Sequence, residues 1–259
     1  MATALITGAS GGIGLELARL FAQEGVDLIL VARSTDKLEA LQQAFQEQYS
    51  IQVTIISKDL SLETAPKELY QTIQTRGITV DYLINNAGFG DYGRFTDTDW
   101  TKELRVIHLN MVALTFLTKR FLQEMVSRGE GRIMNVASTA AFQPGPLMAV
   151  YFATKAYVLS FSEAVANEAR GTGVTVTTLC PGPTATGFIQ ASGAEKSGLF
   201  SNNRLPAPDR VARFGYKAMM RGELVAFNET KLKLLLNWVV PLLPRKMVLK
   251  ASRKAMEKS

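Results

Sequence analysis

Short, nearly all-apolar runs rich in β-branched residues alternate along the chain with longer helical patterns, and this alternation most constrains what the chain can fold into. The runs fall at 2–7, 27–32, 51–57, 80–85, 131–137 and 174–180, with a weaker one at 223–227. Helical patterns fall near 13–25, 35–49, 62–76, 99–128, 150–171, 208–221 and 229–240. Strands without a polar face belong in a sheet covered by helices on both sides. The expectation is an α/β fold: one doubly wound domain with a mostly parallel, seven-stranded sheet flanked by helices. Residues 1–228 form the domain proper, and 229–259 a basic, partly apolar helical extension of it. The aperiodic stretch 181–208, rich in Gly, Pro, Ser and Asn, is expected to be a mobile loop.

Composition narrows the function classes. With 47% apolar and 20% charged residues over 259 positions, the chain can bury a sizeable core as one domain. The single cysteine, Cys180, allows no internal disulfide and follows a Val/Thr run, so it reads as a small buried hydrophobe. With one histidine in the chain, no metal site is expected. A cytoplasmic location suits this composition. The strand-like start lacks a signal peptide's features, and no run approaches the length of a membrane span. Eight Lys/Arg and two Asp/Glu between Glu229 and Ser259 account for the whole net charge of +6, leaving 21 of each sign elsewhere. Basic residues confined to a tail without interleaved aromatics argue against a nucleic-acid partner.

The first strand runs straight into Thr7-Gly8-Ala9-Ser10-Gly11-Gly12-Ile13-Gly14, and a helical pattern follows. A phosphate needs backbone N–H donors at close range and a helix N-terminus facing it, and side chains would block that approach. The strand–turn–helix position makes Gly8, Ser10, Gly12, Ile13 and Gly14 candidates for dinucleotide binding. At the end of the second strand, where an acid would bind the ribose 2′-hydroxyl of NAD, stand Ala32 and then Arg33. A guanidinium there suits a 2′-phosphate, which favours NADP(H), although a surface arginine at the sheet edge is the plainer alternative.

Tyr151 and Lys155 stand at i and i+4 on one helix face. A free tyrosine has a pKa near 10, and a neighbouring ammonium favours the phenolate. A tyrosine so tuned can give a proton to a carbonyl oxygen or take one from an alcohol. Ser138 follows the strand run 131–137, at the carboxyl end where open α/β sheets place ligands, and can polarise a carbonyl. Asn110 sits within a helical pattern where asparagine is a poor choice.

Together with Asp59-Leu60, Asn85-Asn86-Ala87-Gly88 and Pro181-Gly182 with Thr186, in this order, these residues make the chain resemble the short-chain dehydrogenase/reductase family over residues 2–228. The resemblance implies an NADP(H)-dependent oxidoreductase acting on a small-molecule carbonyl or alcohol, with Asn110, Ser138, Tyr151 and Lys155 as the catalytic set. It implies that Asp59 and Leu60 line the adenine, and that Asn86, Ala87 and Gly88 pass under the adenosine ribose. Lys155 would also hold the nicotinamide ribose, Thr186 would lie near the carboxamide, and Asn110 would hold a water linking Lys155 to solvent. Since NADP pools are generally kept reduced, carbonyl reduction is the expected direction. Retention of the whole set disfavours the alternative, a non-catalytic NADP(H)-binding sensor or scaffold.

In the family, residues after the serine and after Pro181-Gly182 build the substrate pocket. Phe142, Pro144, Leu147, Met148, Phe188 and Ile189, with Phe89, would make an apolar pocket for a hydrophobic ketone or aldehyde, unless several are ordinary core or lid packing. The tail run Leu234–Leu243 with Trp238 and nearby Lys and Arg is compatible with peripheral membrane contact, or with covering the substrate cleft or a subunit interface. The family's members are commonly homodimers or homotetramers through the helices that here span 99–128 and 150–171.

Overall fold

The computed structural model describes residues 1–201 and 205–257. Seven strands, β1 (Thr3–Thr7), β2 (Asp27–Ala32), β3 (Val53–Ser57), β4 (Tyr82–Asn85), β5 (Gly131–Val136), β6 (Val174–Leu179) and β7 (Val225–Ala226), form one sheet in the order β3-β2-β1-β4-β5-β6-β7. All six pairings are parallel, which sharpens the expected mostly parallel sheet. The strand order reverses between β1 and β4, where Leu5 lies opposite both Ile29 of β2 and Leu83 of β4. Connections diverge to opposite faces there, and the carboxyl ends part to leave a crevice.

The period-two alternation of β1 divides the core. Ala4 and Ile6 pack with Leu28, Leu30, Phe21, Leu38 and Val211, the last three drawn from α1 (Gly12–Gln23), α2 (Thr35–Gln48) and α9 (Pro208–Met220). Leu5 turns to the other face, with Ile29, Leu83 and Ile133, and meets Leu69 of α3 (Ala65–Thr75) and Phe121 of α5 (Leu114–Arg128). Both strand faces are dry, as the apolar runs require.

The pattern at 99–128 is not one regular helix. α4 (Trp100–Ile107), N-capped by Asp99 accepting from the Lys102 N–H at 2.8 Å, leads into a π-helical segment, His108–Ala113, and then α5. The wide turn carries Asn110, a residue with poor helix propensity that finds its partners outside the helix, and π-bulges commonly mark functional sites. α6 (Ala149–Glu168) follows β5. The stretch expected as a loop holds three short turns of helix, α7 (Phe188–Ser192), a 3₁₀ turn at Ala194–Lys196 and α8 (Gly198–Ser201), and its residues 202–204 lie outside the described part. The tail forms α10 (Thr230–Leu234), continues as a π turn (Leu235–Val239) and a 3₁₀ turn (Val240–Leu242), and resumes as α11 (Arg245–Met256). No described helix is long and apolar enough to cross a membrane.

A buried polar chain ties the central strands to their helices. Asn85 Nδ2 donates to Thr118 Oγ1 (3.0 Å) and Asn135 Oδ1 (2.9 Å), and Asn135 Nδ2 donates to Ser162 Oγ (2.9 Å). An orphaned buried group costs about 1–3 kcal/mol. Asn135→Ala, which leaves the Asn85 amide short of an acceptor and opens a small cavity, is expected to lower unfolding stability by about 2–4 kcal/mol in urea titrations. A loss under about 0.5 kcal/mol would mean that the chain contributes little to holding β4 and β5 together.

Candidate active site

The glycine turn is held by its neighbour across the crevice. Gly8 takes φ +67° and Gly12 φ +57°, the left-handed region that glycine enters freely. Asn86 Nδ2 donates to the Thr7 carbonyl at 2.9 Å, while Thr7 Oγ1 accepts from the N–H groups of Asn86 and Ala87, each at 3.0 Å. A Cβ on Gly14 would run into the Gly8 carbonyl oxygen, and one on Gly8 would lie 2.8 Å from Asn86 Nδ2. Thus Gly14 sits beneath the turn, while Gly8, Ser10, Gly12 and Ile13 face a cleft of about 600 Å³. The start of α1 has no side-chain cap and no acidic residue in its first turn. Its free N–H groups and dipole therefore fit an anionic group, and the glycine cradle leaves room for a pyrophosphate.

Arg33, Asp59 and Leu60 line one end of the cleft, with Asn86, Ala87 and Gly88 along its floor. Asp59 Oδ1 accepts from the N–H (3.0 Å) and hydroxyl (2.7 Å) of Ser61, and Oδ2 pairs with Arg105. Burial raises the Asp59 carboxyl, but the Ser61 hydrogen bonds, Arg105 and then Arg33 outweigh it and hold it below the usual carboxylate value. Lys37 and Lys58 join Arg33 around the same end. Their spacing in the sequence, on a helix and beyond the third strand, gave no signal of this convergence. Arg105 was equally hidden, being an ordinary residue of α4.

The other end gathers Ser138, Tyr151 and Lys155. Ser138 caps the 3₁₀ turn Thr139–Phe142, accepting from the Ala140 N–H at 3.1 Å. Lys155 is buried and donates to the Val136 carbonyl at 2.7 Å. Asn110 stands behind the cleft wall: its Nδ2 donates to the Phe89 carbonyl and Thr154 Oγ1, both at 3.0 Å. A Cβ on Gly88 would lie 3.1 Å from Asn110 Oδ1 and 3.5 Å from Lys155 Nζ, so these three are packed together. Pro181, Gly182 and Thr186 reach the cleft from the loop after β6, and the Thr186 methyl approaches the glycine turn.

One electrostatic expectation is corrected. Lys155 does not depress Tyr151 in this arrangement, because its Nζ lies 5.8 Å from the ring centroid and is committed to Val136. Burial pushes the Tyr151 phenol up to about 12, with the Ser138 hydrogen bond pulling weakly the other way. Burial likewise pushes the Lys155 ammonium down to about 8. Tyr151 therefore holds its proton firmly at neutral pH, while Lys155 can exchange one.

A family model described as "short chain dehydrogenase" matches residues 2–197. The chain belongs to the short-chain dehydrogenase family. It is 33% identical over 213 residues to an uncharacterized oxidoreductase, YvaG, of Bacillus subtilis, covering 82% of this chain and 78% of that one. It is 32% identical over 185 residues to the very-long-chain 3-oxoacyl-CoA reductase of Rattus norvegicus, covering 69% of this chain and 58% of that enzyme's length. A solved short-chain dehydrogenase from Sphingobium yanoikuyae in complex with NADPH superposes with a TM-score of 0.83 at 30% identity, covering 98% of this chain and 94% of that one.

The far wall of this cleft is apolar. Phe89, Met148 and Phe188 line it, and Phe188 packs on Tyr151 with ring centroids 4.9 Å apart. Phe142 does not line it. The 3₁₀ turn after Ser138 sends Ala140 toward the cleft and Phe142 away from it, onto Phe227 at a centroid distance of 5.0 Å. Pro144, Leu147 and Ile189 also stand outside the lining, whereas Phe152, Leu199, Phe200, Leu232, Leu235 and Leu236 belong to it. No cluster of potential metal ligands occurs among the described residues.

The buried lysine carries a stability consequence with a definite sign. Lys155 titrates near 10.5 when free and about 8 when folded, so the folded chain binds fewer protons between those values and its stability rises with pH across that window. The penalty is fully present below about pH 8 and is on the order of 3 kcal/mol. Lys155→Met removes it, and the orphaned Val136 carbonyl takes back about 1 kcal/mol. The cofactor-free variant is expected to melt higher than the parent at neutral pH, with the advantage shrinking toward pH 10.5. A lower melting temperature at neutral pH in scanning calorimetry would contradict the burial argument.

Proposed function

We propose that this chain is an NADP(H)-dependent reductase of a hydrophobic ketone or aldehyde. One observation carries most of the weight: Tyr151 stands with Ser138 and Lys155 at the junction of a polar groove and an apolar pocket. When bound, the dinucleotide supplies a hydride to the substrate carbon. Ser138 hydrogen-bonds the carbonyl oxygen and orients it, and Tyr151, which carries its proton at neutral pH, acts as the proton donor. Lys155 holds the ribose and, titrating near neutrality, can return a proton to Tyr151, with Asn110 ordering a water on the path to solvent. The apolar wall excludes water and offers few charged anchors, which suits a hydrophobic substrate. The name of the rat relative, a reductase of very-long-chain 3-oxoacyl thioesters, agrees in chemical class.

The cofactor preference rests on Arg33, Lys37 and Lys58 around the end of the cleft where a 2′-phosphate would lie, and on the NADPH held by the Sphingobium relative. The resemblance to the family further supports a homodimer or homotetramer through α4, α5 and α6, since α4 exposes Trp100 and Leu104. It supports residues 1–228 as the catalytic domain.

Two variants test the proposal. Arg33→Ala removes a charge-assisted contact worth about 1.5–3 kcal/mol. It is expected to raise KM for NADPH about tenfold or more and to leave that for NADH nearly unchanged, followed as cofactor absorbance loss. A parent enzyme that prefers NADH would overturn the assignment. Tyr151→Phe is expected to abolish turnover across a panel of ketones, aldehydes and 3-oxoacyl thioesters while cofactor titration stays intact. Surviving activity would remove Tyr151 from the chemistry, and cofactor binding without turnover in the parent would favour a sensor or scaffold.

A further inference from the structure

The tail contributes to the cleft on one side and leaves an apolar ridge on the other. Leu236 is buried and packs, with Leu232, against the cluster around Phe227. On the outer side Trp238 is 71% exposed and Leu242 85%, with Leu234 and Met247 beside them in sequence. Leu235 belongs to both surfaces, since it lines the cleft yet is 44% exposed. The ridge is not a frayed end. Ser252 Oγ of α11 donates to the Pro144 carbonyl at 2.7 Å, and the Tyr92 hydroxyl donates to the Met256 carbonyl at 2.8 Å.

Along the ridge's own segment the charge has one sign. Lys231, Lys233, Arg245, Lys246 and Lys250 are exposed, and no Asp or Glu occurs from Thr230 to Met256. Six large apolar side chains between Leu234 and Leu243 are exposed, a density that marks an interaction surface rather than scattered surface hydrophobes. A second copy meeting this face through a two-fold axis would set lysines against lysines, which is unfavourable. An anionic bilayer answers both features: tryptophan and leucine enter the interface while each basic residue near it gains attraction to the surface potential.

We propose that residues 231–250 dock the protein on an anionic lipid surface, with Leu235 placing the mouth of the cleft against the membrane. An apolar substrate then enters from the lipid without crossing water. The docking stands on the ridge and its charges, whereas the substrate route rests on the reductase reading above.

Co-sedimentation of the full chain with vesicles of phosphatidylcholine alone, and of phosphatidylcholine with about one third phosphatidylserine, tests it. The protein is expected to pellet with the anionic vesicles, to be released by high salt, and to stay in the supernatant with the neutral ones. The double substitution Trp238→Glu with Leu242→Glu is expected to lower partitioning about tenfold or more. It should leave the melting temperature and the rate on a short, water-soluble ketone unchanged. In a Trp100→Phe chain, which keeps Trp238 as its one tryptophan, emission should shift blue on adding anionic vesicles; this arm stands even if the glutamate pair misfolds. Equal recovery in the supernatant with both vesicles, or no emission shift, overturns the docking. A dimer in sedimentation equilibrium that the glutamate pair dissociates would assign the ridge to a second copy and overturn it too. Absence of turnover with every carbonyl tried would count against the reductase while leaving the vesicle result intact.

Discussion

The cleft depends on one close approach, that of the Gly8 and Gly14 backbones to each other and to the Asn86 amide. There is no room for a side chain at either glycine, and the amide spans the gap between the loops that leave β1 and β4. Those loops part because the strand order reverses between these two strands. The result is a crevice with an uncapped helix start on one wall and the Asn86–Gly88 backbone on the floor. At this turn the groups that fit a pyrophosphate are main-chain N–H donors, so the fit there depends on backbone geometry.

Burial governs the chemistry at the other end. Lys155 is buried and Tyr151 half-buried, and desolvation moves each toward its neutral form, the phenol upward and the ammonium downward. Attraction between a phenolate and an ammonium could oppose this, but Lys155 points at the Val136 carbonyl instead. The site consequently holds a protonated phenol beside a lysine whose ammonium is pushed down to about 8. The cost is a buried lysine, tolerated because its Nζ donates to the Val136 carbonyl.

The apolar half of the cleft is assembled from segments distant in sequence. Met148 and Phe152 come from the start of α6, Phe188 and Leu199 from the loop after β6, and Leu232 and Leu236 from the tail. The tail is thus part of the pocket and also its outer lip, so a single segment shapes the pocket and the approach to it.

The alternation of apolar strands with helices, the glycine turn and the Tyr151–Lys155 spacing determined the fold and the core of the candidate site without coordinates. Each is a local pattern: a short apolar run, a turn that excludes side chains, an i to i+4 repeat. Asn110 was also legible as a residue at odds with its helix, though not the π turn that lets it reach Phe89 and Thr154. Phe142 misled because adjacency to Ser138 in sequence says nothing about which way a 3₁₀ turn sends a side chain. Lys37 and Lys58 were invisible as site residues, since only packing brings them to the cleft, whereas covering the cleft was one of the roles open to the run Leu234–Leu243, and Leu235 and Leu236 take it. Proton affinities followed the same division. Sequence placed the ammonium and the phenol on one helix face, but only the tertiary structure decided that burial outweighs their attraction, because desolvation depends on everything packed around a group and not on its neighbours along the chain.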